Sequence, residues 1–330
     1  MSGQVILGKI TFDDLSEQRT AADRSFRNKV INGDMAVNQE YGSTAVTPTT
    51  NKYISDQFFA NISASSKLTF QQVADAPDGF KYSTKITVAS QYSPAAGDTF
   101  IFSQPIEGQN IIDMCFGKAS AKTVSISLQV KGSVPGKYSV SISNGTRSYV
   151  GTVDVTSGWS EQFITLTADN TGTWSTDNSL GVYIRFDLGS GSNFNATPGV
   201  WNASVKTRTS DSVTFVDQPN GSTLNITGVQ FEIGAPSEFE MVPPDEQLRR
   251  CQKHYEVGGL KVLSSTATVV NGTIFFKEKK RTIPLMSYGA SPQGAGTSLP
   301  TAAQWTGTSE VFLYAPAASI NCSWVADARL

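Results

Sequence analysis

The chain has 330 residues, a net charge of −2 and only 16% charged side chains, against a usual share of roughly a quarter. That balance excludes nucleic acid as the main partner, because phosphate binding needs a concentrated basic face. Three widely spaced cysteines, Cys115, Cys251 and Cys322, form no CxxC and no zinc spacing, so they read as reduced thiols of a protein folded in a cytosol.

The N-terminal MSGQVILGKITFDD has no basic segment followed by a long apolar one, so no signal peptide is expected. No apolar run approaches the ~20 residues that span a bilayer, so no membrane insertion is expected. Such a protein, if it acts outside the cell, would leave by lysis. Residues 1–27 differ from the rest, with Asp13, Asp14, Glu17, Arg19, Asp23, Arg24 and Arg27 clustered. The stretch FDDLSEQRTAADRSF predicts a short helix with Leu15, Ala22 and Phe26 partly on one face. It is too short to be stable alone. It either docks on another protein or is a frayed terminus.

From Val30 to Ile233 the apolar period is two. VSISLQV, KYSVSIS and LGVYIRFDL alternate cleanly, and KYSTKITVAS, EQFITLTA and ITGVQFEIG read alike. Turn pairs separate them, and Asn144-Gly145 between alternating runs predicts a type I′ hairpin. Many short strands without a long helix make an all-β, antiparallel jelly-roll β-sandwich over residues 28–243.

VPPDEQLRRCQKHYEVGG interrupts the strand pattern. Pro243-Pro244 suits a helix start, Asp245 and Glu246 complement its dipole, and Gly258-Gly259 supplies the stop. A short linker helix over residues 244–259 follows, packed through Leu248, Cys251 and Tyr255. Beyond it, residues 260–330 return to strand as a small C-terminal β tip module. About 70 residues are few for an independent domain, so the tip is expected to need a neighbour. The basic run Lys277-Glu278-Lys279-Lys280-Arg281 reads as a solvated strand edge.

INGDMAVNQ, YISDQFFA, GVQFEIGAPSEFEMVPPDEQLRRCQKHYE and the closing SWVADARL together resemble a family of phage and prophage tail-fibre proteins. That family opens its sandwich with N-G-D-hydrophobic-x-x-x-Q and closes it with V-Q-hydrophobic-E-x-G and a helix ending C-Q-R-Y-Y. Here Lys253-His254 replaces the family's Arg-Tyr step, and Asp327-Ala328-Arg329-Leu330 stands for its Asp-Ala-Glu-Leu-like end. The resemblance covers both ends of the sandwich and the linker helix, while residues 60–225 match only in style. It implies a carbohydrate-binding-module-like jelly roll in a virion fibre that binds a host surface. The motif itself, with Glu232 and Glu240 flanking a Gly-Ala-Pro turn, reads as architectural.

His254 is the only histidine, which excludes His-based triads and multi-His metal sites within one chain. Its neighbour Cys251 lies on the apolar stripe, which would bury the thiol. Trp174 in NTGTWSTDN and Trp201 in TPGVWNAS sit in polar loops, and Tyr183 and Arg185 share the polar side of LGVYIRFDL. These four are the glycan-binding candidates, since sugar C–H faces stack on aromatic rings; core or rim packing is the alternative for each. Trp159 reads as structural. No cofactor is expected beyond a structural calcium, with Asp34, Asp56 and Glu232 as candidate ligands.

The expected protein is a non-enzymatic virion fibre or spike, made in the host cytoplasm and released by lysis. Residues 1–27 would join other virion proteins, and the tips would associate as a homotrimer. The partner outside the virion would be host cell-surface polysaccharide, bound on the sandwich or at the tip around Trp305 and Tyr314. A head fibre or capsid decoration protein of the same fold is one alternative. A polysaccharide-degrading enzyme is another.

Overall fold

The computed structural model describes residues 26–263, 270–290, 302–315 and 319–330, and the backbone of three strands nearer the N-terminus. Those three, β1 (Gln4–Ile6), β2 (Lys9–Thr11) and β3 (Glu17–Gln18), form a small antiparallel sheet. Strand thus stands at Glu17–Gln18 where a helix was predicted; Leu15 and Ala22 lie outside the described residues.

The body is an antiparallel jelly-roll sandwich. Its strands are β4 (Lys52–Ser55), β5 (Phe58–Ile62), β6 (Leu68–Val73), β7 (Ser83–Val88), β8 (Phe100–Glu107) and β9 (Thr123–Gly132). They continue with β10 (Gly136–Ser143), β11 (Ser148–Val155), β12 (Ser160–Thr167), β13 (Leu180–Asp187), β14 (Trp201–Asn202) and β15 (Thr223–Ile233). Seven strands form one sheet in the order β14-β11-β10-β13-β8-β5-β4, and five form the other in the order β12-β9-β15-β7-β6. Alternation sends Phe58, Phe102, Val140, Ile142, Ile184 and Phe186 inward from the first sheet, against Phe70, Ile86, Ile126, Leu128 and Ile226 from the second. Phe102 stacks on Phe58 at 5.0 Å and on Phe70 at 5.9 Å between ring centroids, tying the sheets together.

The Asn144-Gly145 pair does turn β10 into β11, but through a four-residue loop, since Ser143 pairs with Ser148. Asn144 Oδ1 accepts the amides of Thr146 and Arg147 at 3.0 and 2.8 Å. This side-chain turn takes the place of the predicted two-residue type I′ turn.

The helix α1 spans Pro244–Gln252 and ends well before Gly258-Gly259. Both glycines lie inside β16 (Tyr255–Leu263). A Cβ on Gly258 would sit 2.3 Å from Trp324 Cζ2, so the glycine is there to admit the indole, not to stop a helix. The buried face of α1 is also different from the predicted one. Gln247, Cys251 and Gln252 are buried, Leu248 only partly so, and Tyr255 is buried from the strand.

The C-terminal module packs two three-stranded sheets. One contains β16, β21 (Ser319–Asp327) and β18 (Leu285–Ala290); the other contains β17 (Val270–Phe275), β20 (Glu310–Ala315) and β19 (Ala302–Thr306). Ile274, Phe276, Val311, Leu313, Trp324 and Ala326 fill the space between them. The basic run is solvated only in part, at Lys277 and Lys279. Lys280 is buried against Glu256, and Arg281 reaches Glu107 of the sandwich at 2.9 Å. Glu107 also meets Lys253 at 3.2 Å, so charged pairs clamp the module to the sandwich end.

Candidate functional site

The motif segments that carry the family resemblance converge at one end of the sandwich. Asn32 donates to the carbonyls of Val37 and Asp56, at 2.8 and 3.0 Å. Asp56 accepts Gln39 N and Nε2 at 2.7 and 2.6 Å, and Gln39 Nε2 also reaches Tyr255 O at 2.8 Å. Gly33 lies so close to β15 that a Cβ would meet Val229 O at 2.1 Å. Glu240 holds the amides of Phe26 and Asn28 at 2.6 and 2.7 Å, while Glu232 accepts Ser237 N at 2.9 Å. These hydrogen bonds make the motif a knot that ties the chain's segments together, although Ser55 Oγ and Gln57 Nε2 within it are buried with no hydrogen-bond partner among the described residues.

Asp34, Asp56 and Glu232 are each engaged by protein donors: Gln247 Nε2 at 3.2 Å, the Gln39 groups, and Ser237. Among the described residues no group of three acidic, His or Cys side chains is placed to hold a metal. The expected calcium ligands are therefore not brought together. The three cysteines are unpaired, and burial pushes the Cys251 thiol well above its ordinary pKa, away from nucleophilic use. His254 is buried with no hydrogen-bond partner on either ring nitrogen among the described residues. Burial pushes its pKa down to about 3, against the opposing pull of Glu107, so the ring is neutral.

The two candidate tryptophans sit apart from Tyr183 and Arg185. Trp174 is only 7% exposed and packs 4.3 Å from the Phe116 ring. Trp201 meets Trp174 edge-on at 5.7 Å and lies 5.6 Å from Tyr149. Both indole N–H groups donate to backbone carbonyls, Thr171 O and Thr167 O, each at 3.0 Å. Trp201 pairs with Tyr149 on the core side of β11. The pair closes the edge of the core, where loop polarity had suggested exposed rings.

Tyr183 and Arg185 project from the other side of the seven-stranded sheet, away from Val182, Ile184 and Phe186. Register extends their row across the sheet. Arg185 pairs with Ser141 and Ser103, Ser103 with Phe59, and Phe59 with Tyr53. Cross-strand partners point the same way, so Tyr53, Phe59, Ser103, Arg185 and Ser141 form one line on the outer face. From Tyr53 to Arg185 this is three strand spacings, roughly 14 Å.

Tyr53, Phe59, Tyr183 and Arg185 are all partly exposed, and small serines lie between them. Tyr53 and Phe59 meet edge-to-face at 5.1 Å. The Arg185 guanidinium lies 4.4 Å from the Tyr183 ring centroid. Arg185 Nη1 and Ser141 Oγ are buried with no hydrogen-bond partner among the described residues. Phe58 of YISDQFFA is inward, and strand alternation puts its neighbour Phe59 outward. Trp305 and Tyr314, the tip candidates, have side chains outside the described residues.

No protein-family model matches the chain, and no curated protein matches it. Among solved structures it is similar to the CBM22-1 xylan-binding domain from Paenibacillus barcinonensis Xyn10C. The identity is 11%, over 60% of this chain and 99% of that one, with a TM-score of 0.31. It is also similar to the family 11 carbohydrate-binding module from Clostridium thermocellum in complex with a β-1,3-1,4-mixed-linked tetrasaccharide, at 12% identity over 61% and 100%, TM-score 0.31. A third is TmCBM61 in complex with β-1,4-galactotriose, at 10% identity over 63% and 99%, TM-score 0.33. Likenesses this distant assign neither ligand nor site to this chain.

Proposed function

We propose that the chain is a non-catalytic, glycan-binding fibre protein of a phage virion, and that the outer face of the seven-stranded sheet is its glycan surface. The observation that carries the reading is the row of Tyr53, Phe59 and Arg185 across adjacent strands, with Tyr183 stacked under the guanidinium. Aromatic rings offer stacking surfaces, and a guanidinium reads sugar hydroxyls between them. Asp187 and Glu107, acidic neighbours of the row along its strands, are held by other side chains.

The virion setting rests on the sequence resemblance. In that setting residues 1–27 join other virion proteins, and the chains associate as a trimer through the C-terminal modules. Phe275 and Leu285 of that module expose 72% and 78% of their surface, which favours association there.

Tyr183→Ala and Phe59→Ala are expected to reduce binding of the purified chain to host cells by tenfold or more while leaving its melting temperature nearly unchanged. Normal binding by both variants would remove this face from the function. Immunogold labelling of intact virions tests the setting, with tail-tip labelling expected and head labelling favouring a head fibre.

A further inference from the structure

Among the described residues Arg185 forms no ion pair and its Nη1 has no acceptor, while its guanidinium lies 4.4 Å from the Tyr183 ring centroid. Of the carboxylates on the same outer face, Asp154 lies two strands away on β11, opposite Lys137, and Asp187 and Glu107 are committed elsewhere. Asp187, two residues along β13, accepts Thr207 Oγ1 at 2.7 Å and the amides of Gly189 and Ser190 at 2.8 and 3.0 Å, with Arg208 at 4.0 Å. Glu107, at the far end of β8, is taken by Arg281 and Lys253.

A partly buried guanidinium left without an anion is costly, because desolvation weakens its charge stabilisation and no partner restores it. Its planar fork matches a carboxylate with two parallel N–H···O bonds. The Tyr183 ring beneath it and the Phe59 ring beside it would seat the sugar that bears the carboxylate.

We propose that the glycan bound on this face is acidic, and that a sugar carboxylate, uronate or sialate in type, pairs with Arg185. This rests on the glycan-binding reading above and names the ligand class of the same face.

The test uses the full-length chain on immobilised polyglucuronate, polygalacturonate and polysialate, each beside its carboxyl-reduced neutral form, with dextran sulfate as a general polyanion. At least one acidic polymer is expected to bind tenfold or more tighter than its neutral form, and the two carboxylate types identify the source. That preference should shrink as salt rises and vanish in Arg185→Gln, with Arg185→Lys retaining only part of it. Melting curves of both variants confirm that they fold.

Equal binding of acidic and reduced forms, lost in Tyr183→Ala, would overturn the acidic ligand and leave the glycan face standing. Equal binding of dextran sulfate would make Arg185 a general anion contact and overturn it too. No binding to any acidic polymer, with host-cell binding intact in Arg185→Gln, would likewise overturn it. Host-cell binding intact in Tyr183→Ala and Phe59→Ala would remove the glycan face itself.

Discussion

Arg329 and Tyr53, from opposite ends of the chain, are stacked: the guanidinium carbon lies 4.2 Å from the Tyr53 ring centroid. The opposite contact is the Tyr255 ring at 4.0 Å, and Nη1 and Nη2 reach Glu40 and Asp327 at 3.0 and 2.6 Å. Tyr53 Oη donates to Leu330 O at 2.7 Å, so the closing tetrapeptide is a latch on the first strand of the sandwich. Arg329→Ala removes both stacking contacts and leaves two carboxylates without their cation. A loss of roughly 2 kcal/mol is expected, discounted because Glu40 and Asp327 are partly exposed. Thermal melting measures it, and Arg329→Lys should fall between the two. An unchanged melting temperature in the alanine variant would mean that the latch contributes nothing.

The Lys280–Glu256 pair has both side chains fully buried, and Lys280 Nζ also donates to Gln252 O at 2.6 Å. Removing one partner strands the other charge in the interior. Lys280→Met and Glu256→Leu should each cost about 3–5 kcal/mol. The Lys280→Met/Glu256→Leu double variant should recover most of that loss, because no isolated charge remains. Denaturant melts of the four proteins form the cycle, and additive losses would show that the two residues are not coupled.

How much was legible in the sequence depended on the range over which each signal acts. Period-two alternation is a local pattern, so the strands and the inward faces of β9, β10 and β13 could be read directly. The outward placement of Tyr183 and Arg185 follows from the same parity. For Trp174 and Trp201 the sequence left glycan contact and core packing both open, because their flanks are polar whereas their packing partners Phe116 and Tyr149 come from distant segments. Lys280 and Arg281 likewise look like a solvated edge until the fold supplies Glu256 and Glu107. Phe59 is one of two adjacent phenylalanines in YISDQFFA, and only strand pairing puts it in line with Arg185.

Gly258 shows the same limit. In sequence a glycine pair is a helix stop; in the fold it makes room for Trp324 across β16 and β21. Gly258→Ala should lower stability by about 1–3 kcal/mol, because the indole must shift to admit a methyl group. Pairing it with Trp324→Phe should restore part of the loss. Calorimetry of the single and double variants checks this, and a Gly258→Ala chain as stable as the wild type would show that the indole yields freely.

His254 adds a pH dependence to the junction. Its folded pKa, about 3, is depressed below the ordinary histidine value of 6.5. Between those values the unfolded chain binds a proton that the folded chain refuses. The contribution is therefore complete above pH 6.5 and is lost as pH falls toward 3, with a slope of at most about 1.4 kcal/mol per pH unit. His254→Phe should flatten the stability curve between pH 6 and about 4 relative to wild type, since the carboxylates that also titrate there are common to both proteins. Parallel slopes for the two proteins would show that the ring titrates normally.

Trp174 decides between a surface and a core role for the polar-loop tryptophans. The ring is 7% exposed, lies 4.3 Å from Phe116, and meets Trp201 edge-on. Trp174→Ala would leave a cavity at the sheet edge and orphan the Thr171 carbonyl that its N–H reaches. The expected cost is about 3–5 kcal/mol, the usual range for deleting a large buried aromatic. Trp174→Phe should recover part of the packing but not the hydrogen bond. Host-cell binding by whatever fraction stays folded should be close to wild type, because the ring points away from the Tyr183–Arg185 row. Melting and binding measured on the same preparation separate the roles: a stable variant that no longer binds would return Trp174 to the glycan surface.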